Sequence, residues 1–351
     1  MSPPQRARDL AAGGVMTVTG QAPGEQLGPT SVHEHLYCDI SVQSGREDNI
    51  LTDVPTMVGE LAHLRRAGCR SVVDVTPEGI GRDPAMLKAI SEGSGVQVVS
   101  GIAFYTEETY PAWIRGATEA QIADHFVREI EEGRDGVRAG LIGELASHNS
   151  APQRTRNFAE NPELRSAENA ELREDRPDPA AYRLTEAESQ MFRAAAQAQR
   201  RTGVAITTHA SLGRGGHAQL AALEQAGADL GRVAIGHCDA HWHTDLEKDL
   251  DYYLPILERG AFCSFDLIGW SELAPDQVRA ERIATLVRLG YARQIVLGSD
   301  TCRRSQLRAN GGRGLDYLWT SFLPRLAALG LTESDIGIML VDAPRRLLAG
   351  S

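Results

Sequence analysis

The chain has 351 residues, of which 42% are hydrophobic and 24% are charged, and its formal net charge is −11. This composition is ordinary for a folded globular protein and excludes a disordered or fibrous chain. The negative charge argues against nucleic acid or an anionic membrane as the main partner, because both require clustered Lys and Arg, so we expect a small-molecule partner.

The sequence predicts neither a membrane span nor a signal peptide. No apolar run reaches the roughly 18 to 20 residues that a membrane span needs, and the N-terminal stretch MSPPQRARDL lacks the apolar segment of a signal peptide. We therefore expect a cytoplasmic protein without membrane contact. The five cysteines lack CxxC spacing, which favours neither a disulfide framework nor a thiolate zinc site.

Residues 1–15 are predicted to be disordered and residues 16–351 to form one domain. A small hairpin over MTVTGQAPGEQLG comes first and should close the bottom of that domain. Eight short runs of β-branched or apolar residues follow, and each predicts a strand. The eight runs are Thr30–His35, Ser71–Val75, Gln97–Ala103, Ala139–Glu144, Ala205–His209, Val233–His237, Phe262–Phe265 and Gln294–Gly298.

Segments with helical periodicity separate the runs, and capping boxes at Thr118, Thr185 and Thr244 start three of them. This alternation predicts a (β/α)₈ TIM barrel, an α/β fold whose active site lies at the carboxyl ends of the strands. A doubly wound open sheet is the alternative, although no Gly-x-Gly-x-x-Gly turn supports it. The predicted helices are Val54–Ala67, Asp83–Glu92, Glu119–Glu132, Glu186–Arg201, His217–Gln225, Asp245–Arg259, Pro275–Leu289, Asp316–Ala328 and Glu333–Leu348.

A long insertion after the fourth strand interrupts the alternation. Residues 149–182 are mixed in charge, poor in apolar side chains and bracketed by prolines. Connections of this length in a compact domain are usually functional or disordered. Two interpretations therefore stand: a lid that shapes substrate specificity, or a mobile solvated loop.

Potential metal ligands recur at the predicted strand ends. His33 and His35 are two residues apart on the first strand, so both side chains can point into the barrel while Glu34 points outward. A lone His-x-His pair is weak evidence. Further ligand-type residues at four other strand ends strengthen it, because burying them together without a cation would leave polar groups poorly paired. These residues are Glu144, His209, His237 and Asp300.

With these residues and the motifs AGLIGE, THA, IGHCD and SDTCRRSQLRANGGRGLDYL, the chain resembles the phosphotriesterase family of the amidohydrolase superfamily, in its phosphotriesterase-homology branch. The resemblance implies a TIM barrel with two divalent metal ions, zinc above all, with manganese, cobalt or iron as alternatives. It also implies a ligand arrangement. His33, His35 and Asp300 would hold the buried ion, and His209 and His237 would hold the more exposed one.

The resemblance further concerns the ligand that bridges the two ions. Many family members use a carboxylated lysine, but the matching residue here is Gly143, and neither lysine of the chain lies near a strand end. Glu144 is therefore expected to bridge the ions, as in the branch that the chain resembles. A twist or bulge of the strand should turn Glu144 inward.

The expected function is metal-dependent hydrolysis. A metal-bridging hydroxide would open a lactone, carboxyl ester or amide of a small, anionic molecule, with Asp300 accepting the proton. An organophosphate triester hydrolase is one alternative, although Leu267 and Ala240 replace the family's proton-relay residues. A non-catalytic metal- or ligand-binding barrel is the other. Related proteins are often dimers, so a homodimer is also expected.

Substrate-binding residues are predicted in the loops that follow the strands. Tyr105 and Trp270, with Trp113 and Trp242, could form aromatic walls of the substrate pocket. Arg303 and Arg304 follow Asp300 and could bind an anionic substrate group, with salt bridges or helix capping as the alternative. Asp266 and Asp239 are expected to hydrogen-bond ligand histidines and fix their tautomers.

Overall fold

The protein, seen in a computed structural model, is described over residues 13–147, 182–240, 243 and 245–350. Several sequence predictions lie outside these ranges: most of the N-terminal segment predicted to be disordered, residues 149–181 of the insertion predicted to be a lid or a mobile loop, the capping residue Thr244 and the loop residue Trp242. Gly14 and Val15, which we expected to be disordered, belong to the first strand. No helix in the described ranges is both long and apolar enough to cross a membrane.

Eight parallel strands form a nearly closed barrel, as predicted, in the neighbour order β12-β11-β10-β9-β8-β7-β6-β3. Two short antiparallel pairs, β1–β2 and β4–β5, lie outside it. The Asp300 amide donates to the His33 carbonyl over 3.0 Å, which joins the end of β12 to β3. The strands are β1 Gly14–Thr17, β2 Gly20–Pro23, β3 Thr30–Glu34, β4 Cys38–Asp39, β5 Ile50–Leu51, β6 Ser71–Asp74, β7 Gln97–Ile102, β8 Leu141–Ser147, β9 Ala205–Ala210, β10 Val233–Ile235, β11 Phe262–Phe265 and β12 Ile295–Leu297.

Helices connect the barrel strands and end within a few residues of the predicted bounds. The capping boxes at Thr118 and Thr185 are present, whereas the helix predicted to start with Thr244 has Asp245 as its N-cap. The helices are α1 Ser41–Ser44, α2 Val54–Ala67, α3 Pro84–Ser94, α4 Glu119–Glu131, α5 Glu186–Thr202, α6 Gly216–Gln225, α7 Leu246–Glu258, α8 Asp276–Arg288, α9 Leu323–Ala328, α10 Glu333–Gly337 and α11 Ala343–Ala349. Two π-helical segments, Leu318–Phe322 and Ile338–Asp342, lead into α9 and α11.

One buried apolar cluster fills the barrel interior. It takes a side chain from every barrel strand, and residues from eight strands of a barrel can meet only inside it. Val15 of the hairpin and Leu347 of α11 belong to the same cluster, so these two elements close the bottom of the barrel. The strand residues are Val32, Val73, Val99, Leu141, Ala205, Ala234, Phe262 and Val296.

Candidate metal centre

The predicted ligands converge on one carboxylate at the carboxyl ends of the strands. Oε2 of Glu144 lies 3.2 Å from both His33 Nε2 and His209 Nδ1. It also lies 4.0 Å from His237 Nε2, and Oε1 lies 3.4 Å from His35 Nε2. All five side chains are buried or nearly so. Glu144 is therefore the centre of the cluster.

Two groups of ligand atoms share this carboxylate. His33, His35 and Glu144 form one compact group, and Glu144, His209 and His237 form the other. Asp300 adds a second carboxylate to the first group, because its Oδ1 lies 3.2 Å from His35 Nε2. The geometry thus offers two adjacent sites joined by Glu144, which is the arrangement expected for a pair of bridged cations.

Each histidine is oriented by a partner on its other ring nitrogen. His237 Nδ1 lies 2.8 Å from Asp266 Oδ1, and His33 Nδ1 lies 3.0 Å from Asp266 Oδ2. His35 Nδ1 lies 2.9 Å from the Thr76 hydroxyl, and His209 Nε2 lies 3.0 Å from the Ser211 hydroxyl. The Asp266 carboxylate fixes the tautomer of the two rings that it contacts, and in all four rings the opposite nitrogen faces the site, where it could bind a metal.

The facing nitrogens fit a cation. His209 Nδ1 and His237 Nε2 lie 2.8 Å apart, so both nitrogens face the same point and could bind one cation there in place of the hydrogen bond between them. His33 Nε2 is buried without a hydrogen-bond partner. A site of imidazole and carboxylate ligands suits zinc, and it also accepts manganese, cobalt or iron. The residues present therefore fit two divalent ions.

The charges within the cluster are strongly coupled. Burial by itself raises the pKa of Glu144, but His209 and His33 outweigh it and hold that pKa well below its usual range. Burial also opposes ionisation of Asp266, yet His237 and His33 lower its pKa. Burial and the neighbouring His237 lower the pKa of His209, against the opposing effect of Glu144. Two carboxylates therefore stay ionised among the histidines, ready to balance cationic charge.

The backbone of β8 turns Glu144 into the site. Pairing between β8 and β9 shifts register between Ile142 and Leu145, which confirms the expected irregularity. The Glu144 amide donates to the Val75 carbonyl over 3.0 Å. A Cβ atom at Gly143 would lie only 2.0 Å from the Thr207 hydroxyl. Position 143 therefore has no room for a side chain beside Thr207.

A second group of ligand-type residues lies elsewhere, formed by Glu78, His125 and Glu129. Arg82 and Arg134 pair with its two glutamates. Because these guanidinium groups already balance the carboxylates, the group is an ion-pair network and not a metal site.

The predicted aromatic residues differ in position. Tyr105 lies at the site, with its hydroxyl 3.5 Å from His209 Nε2. Trp270 is buried, with only 5% of its surface exposed, and its indole N–H donates to the Ser299 carbonyl over 2.9 Å. Trp113 packs against Phe104 and His125. Of the three, Tyr105 is the one in contact with a candidate ligand.

The two arginines after Asp300 have different surroundings. Arg303 lies over the Trp270 ring, with Cζ 4.2 Å from its centroid, and its Nη1 lies 3.1 Å from Glu272 Oε1. Its Nε is buried without a hydrogen-bond partner. Arg304 is exposed and lines a small cavity with Asp53, away from the candidate ligands.

Asp266 contacts ligand histidines as predicted, whereas Asp239 binds the backbone beside Asp266. Asp239 accepts hydrogen bonds from the Asp266 and Leu267 amides and from Arg279 Nε. It therefore holds the end of β11, which carries Asp266. Leu267 and Ala240 are both buried in an apolar cluster. Apolar packing thus replaces the relay at these two positions.

Sequence reasoning missed Thr76 and Ser211 as partners of the ligand histidines. Ser211 follows His209 by two residues, a spacing that offered a signal. Thr76 is far from His35 in the chain, so only the adjacency of β3 and β6 brings them together. Sequence reasoning also treated Glu34 as a residue facing the helices, whereas its carboxylate binds the backbone beyond β12.

The chain is similar to known proteins in both sequence and structure. The sequence matches the Phosphotriesterase family over residues 13–166 and 178–348. The phosphotriesterase homology protein of Escherichia coli is 31% identical, covering 91% of this chain and 97% of that one. The N-acetyltaurine hydrolase of Dictyostelium discoideum is 28% identical, covering 85% and 74%. A mutant PTE-like lactonase from Deinococcus radiodurans superposes with a TM-score of 0.75 at 30% identity, covering 95% and 99%.

Proposed function

The chain belongs to the phosphotriesterase family and is a metal-dependent hydrolase, and from that premise we propose that it cleaves an amide, lactone or carboxyl ester of a small anionic molecule. The observation that supports this most directly is the sharing of Glu144 by two groups of ligands. Two divalent ions held there would supply hydroxide at neutral pH and polarise the substrate carbonyl.

The chain's own residues complete the reaction. His33, His35 and Asp300 would hold one ion, His209 and His237 the other, and Glu144 both. Asp300 Oδ1 would accept the proton of the attacking water and return it to the leaving nitrogen or oxygen. Tyr105, whose hydroxyl lies 3.5 Å from His209 Nε2, would contact the substrate near its carbonyl group.

Reconstitution with zinc, manganese or cobalt, followed by assays on N-acyl amines, lactones and phosphotriesters, tests the proposal. We expect two ions per chain and turnover of the carbonyl substrates, with weak triester hydrolysis because Leu267 and Ala240 lack relay groups. Fewer than two ions together with no hydrolysis would contradict it. Tight binding of a substrate analogue without turnover would instead support a non-catalytic barrel.

Arg303 is proposed to bind the anionic group of the substrate. The substrate named for several relatives, N-acetyltaurine, is an amide that carries a sulfonate. Arg303 follows Asp300 by three residues, and Trp270 and Glu272 hold its guanidinium in place. The side chain is 24% exposed, and a guanidinium held in one orientation suits an oxyanion group.

Replacing Arg303 by methionine should raise KM for N-acetyltaurine by about 10- to 100-fold, the cost of one charged hydrogen bond. Hydrolysis of a neutral lactone should change little, because it has no anionic group. Arg304→Met is the matched control, as Arg304 lines a cavity away from the ligands. Equal losses on both substrates, or a larger effect of the control, would refute the role of Arg303.

Metal affinity should increase with pH. Burial alone lowers the pKa of His33 and of His35, but carboxylates outweigh it: Asp266 and Glu144 for His33, Asp300 and Glu144 for His35. Both pKa values are therefore well above the usual range. In the metal-free protein these rings hold protons that a cation must displace. Calorimetric titrations in buffers of different protonation enthalpy should show proton release and tighter binding from about pH 6 to pH 8. An affinity independent of pH would contradict this expectation.

A further inference from the structure

Glu34 lies between two metal-ligand candidates in sequence but points to a different part of the protein. Its side chain is buried, and its Oε1 accepts from the Ser31 hydroxyl at 2.7 Å. The same oxygen accepts from the Ser299 amide at 2.9 Å, while Oε2 accepts from the Thr301 amide at 3.0 Å. The two amides belong to the residues on either side of Asp300.

The backbone at Asp300 needs such support. Strand β12 ends at Leu297, so the sheet ladder no longer fixes the chain where Asp300 begins. Asp300 has a φ of +44°, in the left-handed region that non-glycine residues rarely adopt. The Asp300 amide donates to the His33 carbonyl over 3.0 Å, and the His35 amide donates to the Thr301 carbonyl over 3.3 Å.

Two further side chains hold the same segment from the opposite side. The Ser299 carbonyl accepts from the Trp270 indole N–H and from Arg313 Nη2, each at 2.9 Å. Arg313 also acts electrostatically on Glu34 and Asp300. The residue before Asp300 is thus held through both its amide and its carbonyl, by groups from β3 and from the loops after β11 and β12.

We infer that Glu34 is a positioning residue for Asp300: by fixing the amides of Ser299 and Thr301, its carboxylate holds the Asp300 side chain at the metal centre. The inference rests on the proposed function, in which Asp300 binds metal and accepts a proton. It explains why a charged side chain is buried between His33 and His35 without joining the ligands. Both amides require an acceptor, and the two oxygens of one carboxylate provide it.

The test replaces Glu34 by glutamine, which keeps the shape but turns one acceptor into a donor facing an amide. Glu60→Gln is the matched control, because Glu60 is also a buried glutamate that accepts from an amide of the loop after β12, that of Ala309 at 3.0 Å. Measurements are kcat, KM, metal affinity by competition with a chelator, and melting temperature. The protein used is the full chain loaded with zinc.

Glu34→Gln should lower kcat or metal affinity by about 10- to 100-fold, as for other residues that orient metal ligands, with KM nearly unchanged. Glu60→Gln should leave kcat and metal affinity unchanged. Wild-type values of both in Glu34→Gln would overturn the inference, and so would equal losses in the two variants. If the unaltered protein hydrolyses nothing, the proposed function fails, while the difference in metal affinity still decides the role of Glu34.

A second variant covers the case in which Glu34→Gln does not fold. Trp270→Phe keeps the ring beneath Arg303 but removes the donor to the Ser299 carbonyl. It should lower kcat in the same direction by a smaller factor, about 3- to 10-fold, again with KM for a neutral lactone unchanged. Unchanged kcat together with unchanged metal affinity in this variant would count against positioning through the Ser299–Thr301 segment.

Discussion

Asp300→Asn is expected to lower kcat by about 10²- to 10⁴-fold, because asparagine keeps the shape of the side chain but cannot accept the proton of the attacking water. The carboxylate lies among the candidate ligands, with Oδ1 3.2 Å from His35 Nε2 and 3.7 Å from His33 Nε2. The substitution would also remove one negative charge from the proposed metal site. KM should change less than kcat, since the substrate pocket keeps its shape.

Measuring metal content beside kcat separates the two roles of Asp300. If the variant binds two ions and still loses kcat, the loss reports proton transfer; if it binds one, excess metal should restore the ion without restoring the rate. Asp316→Asn is the control, because Asp316 is a buried aspartate of the same loop that pairs with Arg308. A fully active Asp300→Asn protein would rule out both roles.

Glu144→Gln should have the largest effect on metal binding. Within the described ranges, Glu144 is the one carboxylate that lies within 4.0 Å of all four histidines, and its amide analogue cannot offer two anionic oxygens to two cations. Removing one partner of a buried charge pair costs about 3–5 kcal/mol, a factor of about 10² to 10⁴ in affinity. We therefore expect fewer than two ions per chain and little residual hydrolysis.

Metal analysis after dialysis, together with the activity of the zinc-loaded protein, checks this expectation. Glu60→Gln again serves as the control for replacing a buried glutamate. Retention of two ions with normal turnover in Glu144→Gln would show that another group bridges them. Histidine substitutions cannot make this distinction, because each histidine belongs to only one of the two groups that share Glu144.

The repeating strands and helices of the fold could be predicted from the sequence. Runs such as Ser71–Val75 alternate with capped helices, and this regular alternation predicts a barrel. In a barrel the strand ends lie side by side, so His209 and His237 were predicted to be neighbours. The inward turn of Glu144 was expected from the family resemblance, because Gly143 occupies the position of the family's lysine. The prediction of the ligands therefore depended on local pattern, one topological rule and that resemblance.

Contacts between loops and distant strands could not be predicted in this way. Trp270 was predicted to line the pocket, but its hydrogen bond to the Ser299 carbonyl and its contact with Arg303 could not be predicted, because a loop has no periodicity that shows which way a side chain points. Arg303 and Arg304 are identical neighbours in sequence but have different surroundings. The role of Glu34 depends on amides about 265 residues away, which only the closure of the barrel brings close.

The close approach of Gly143 to Thr207 has a consequence for how this site can change. A carboxylated lysine that bridged the ions from position 143 would have its Cβ 2.0 Å from the Thr207 hydroxyl. Replacing the Glu144 bridge by such a lysine would therefore also require a smaller residue at position 207 on the adjacent strand. A change of bridge therefore involves both β8 and β9, because Gly143→Lys alone would place its Cβ against Thr207.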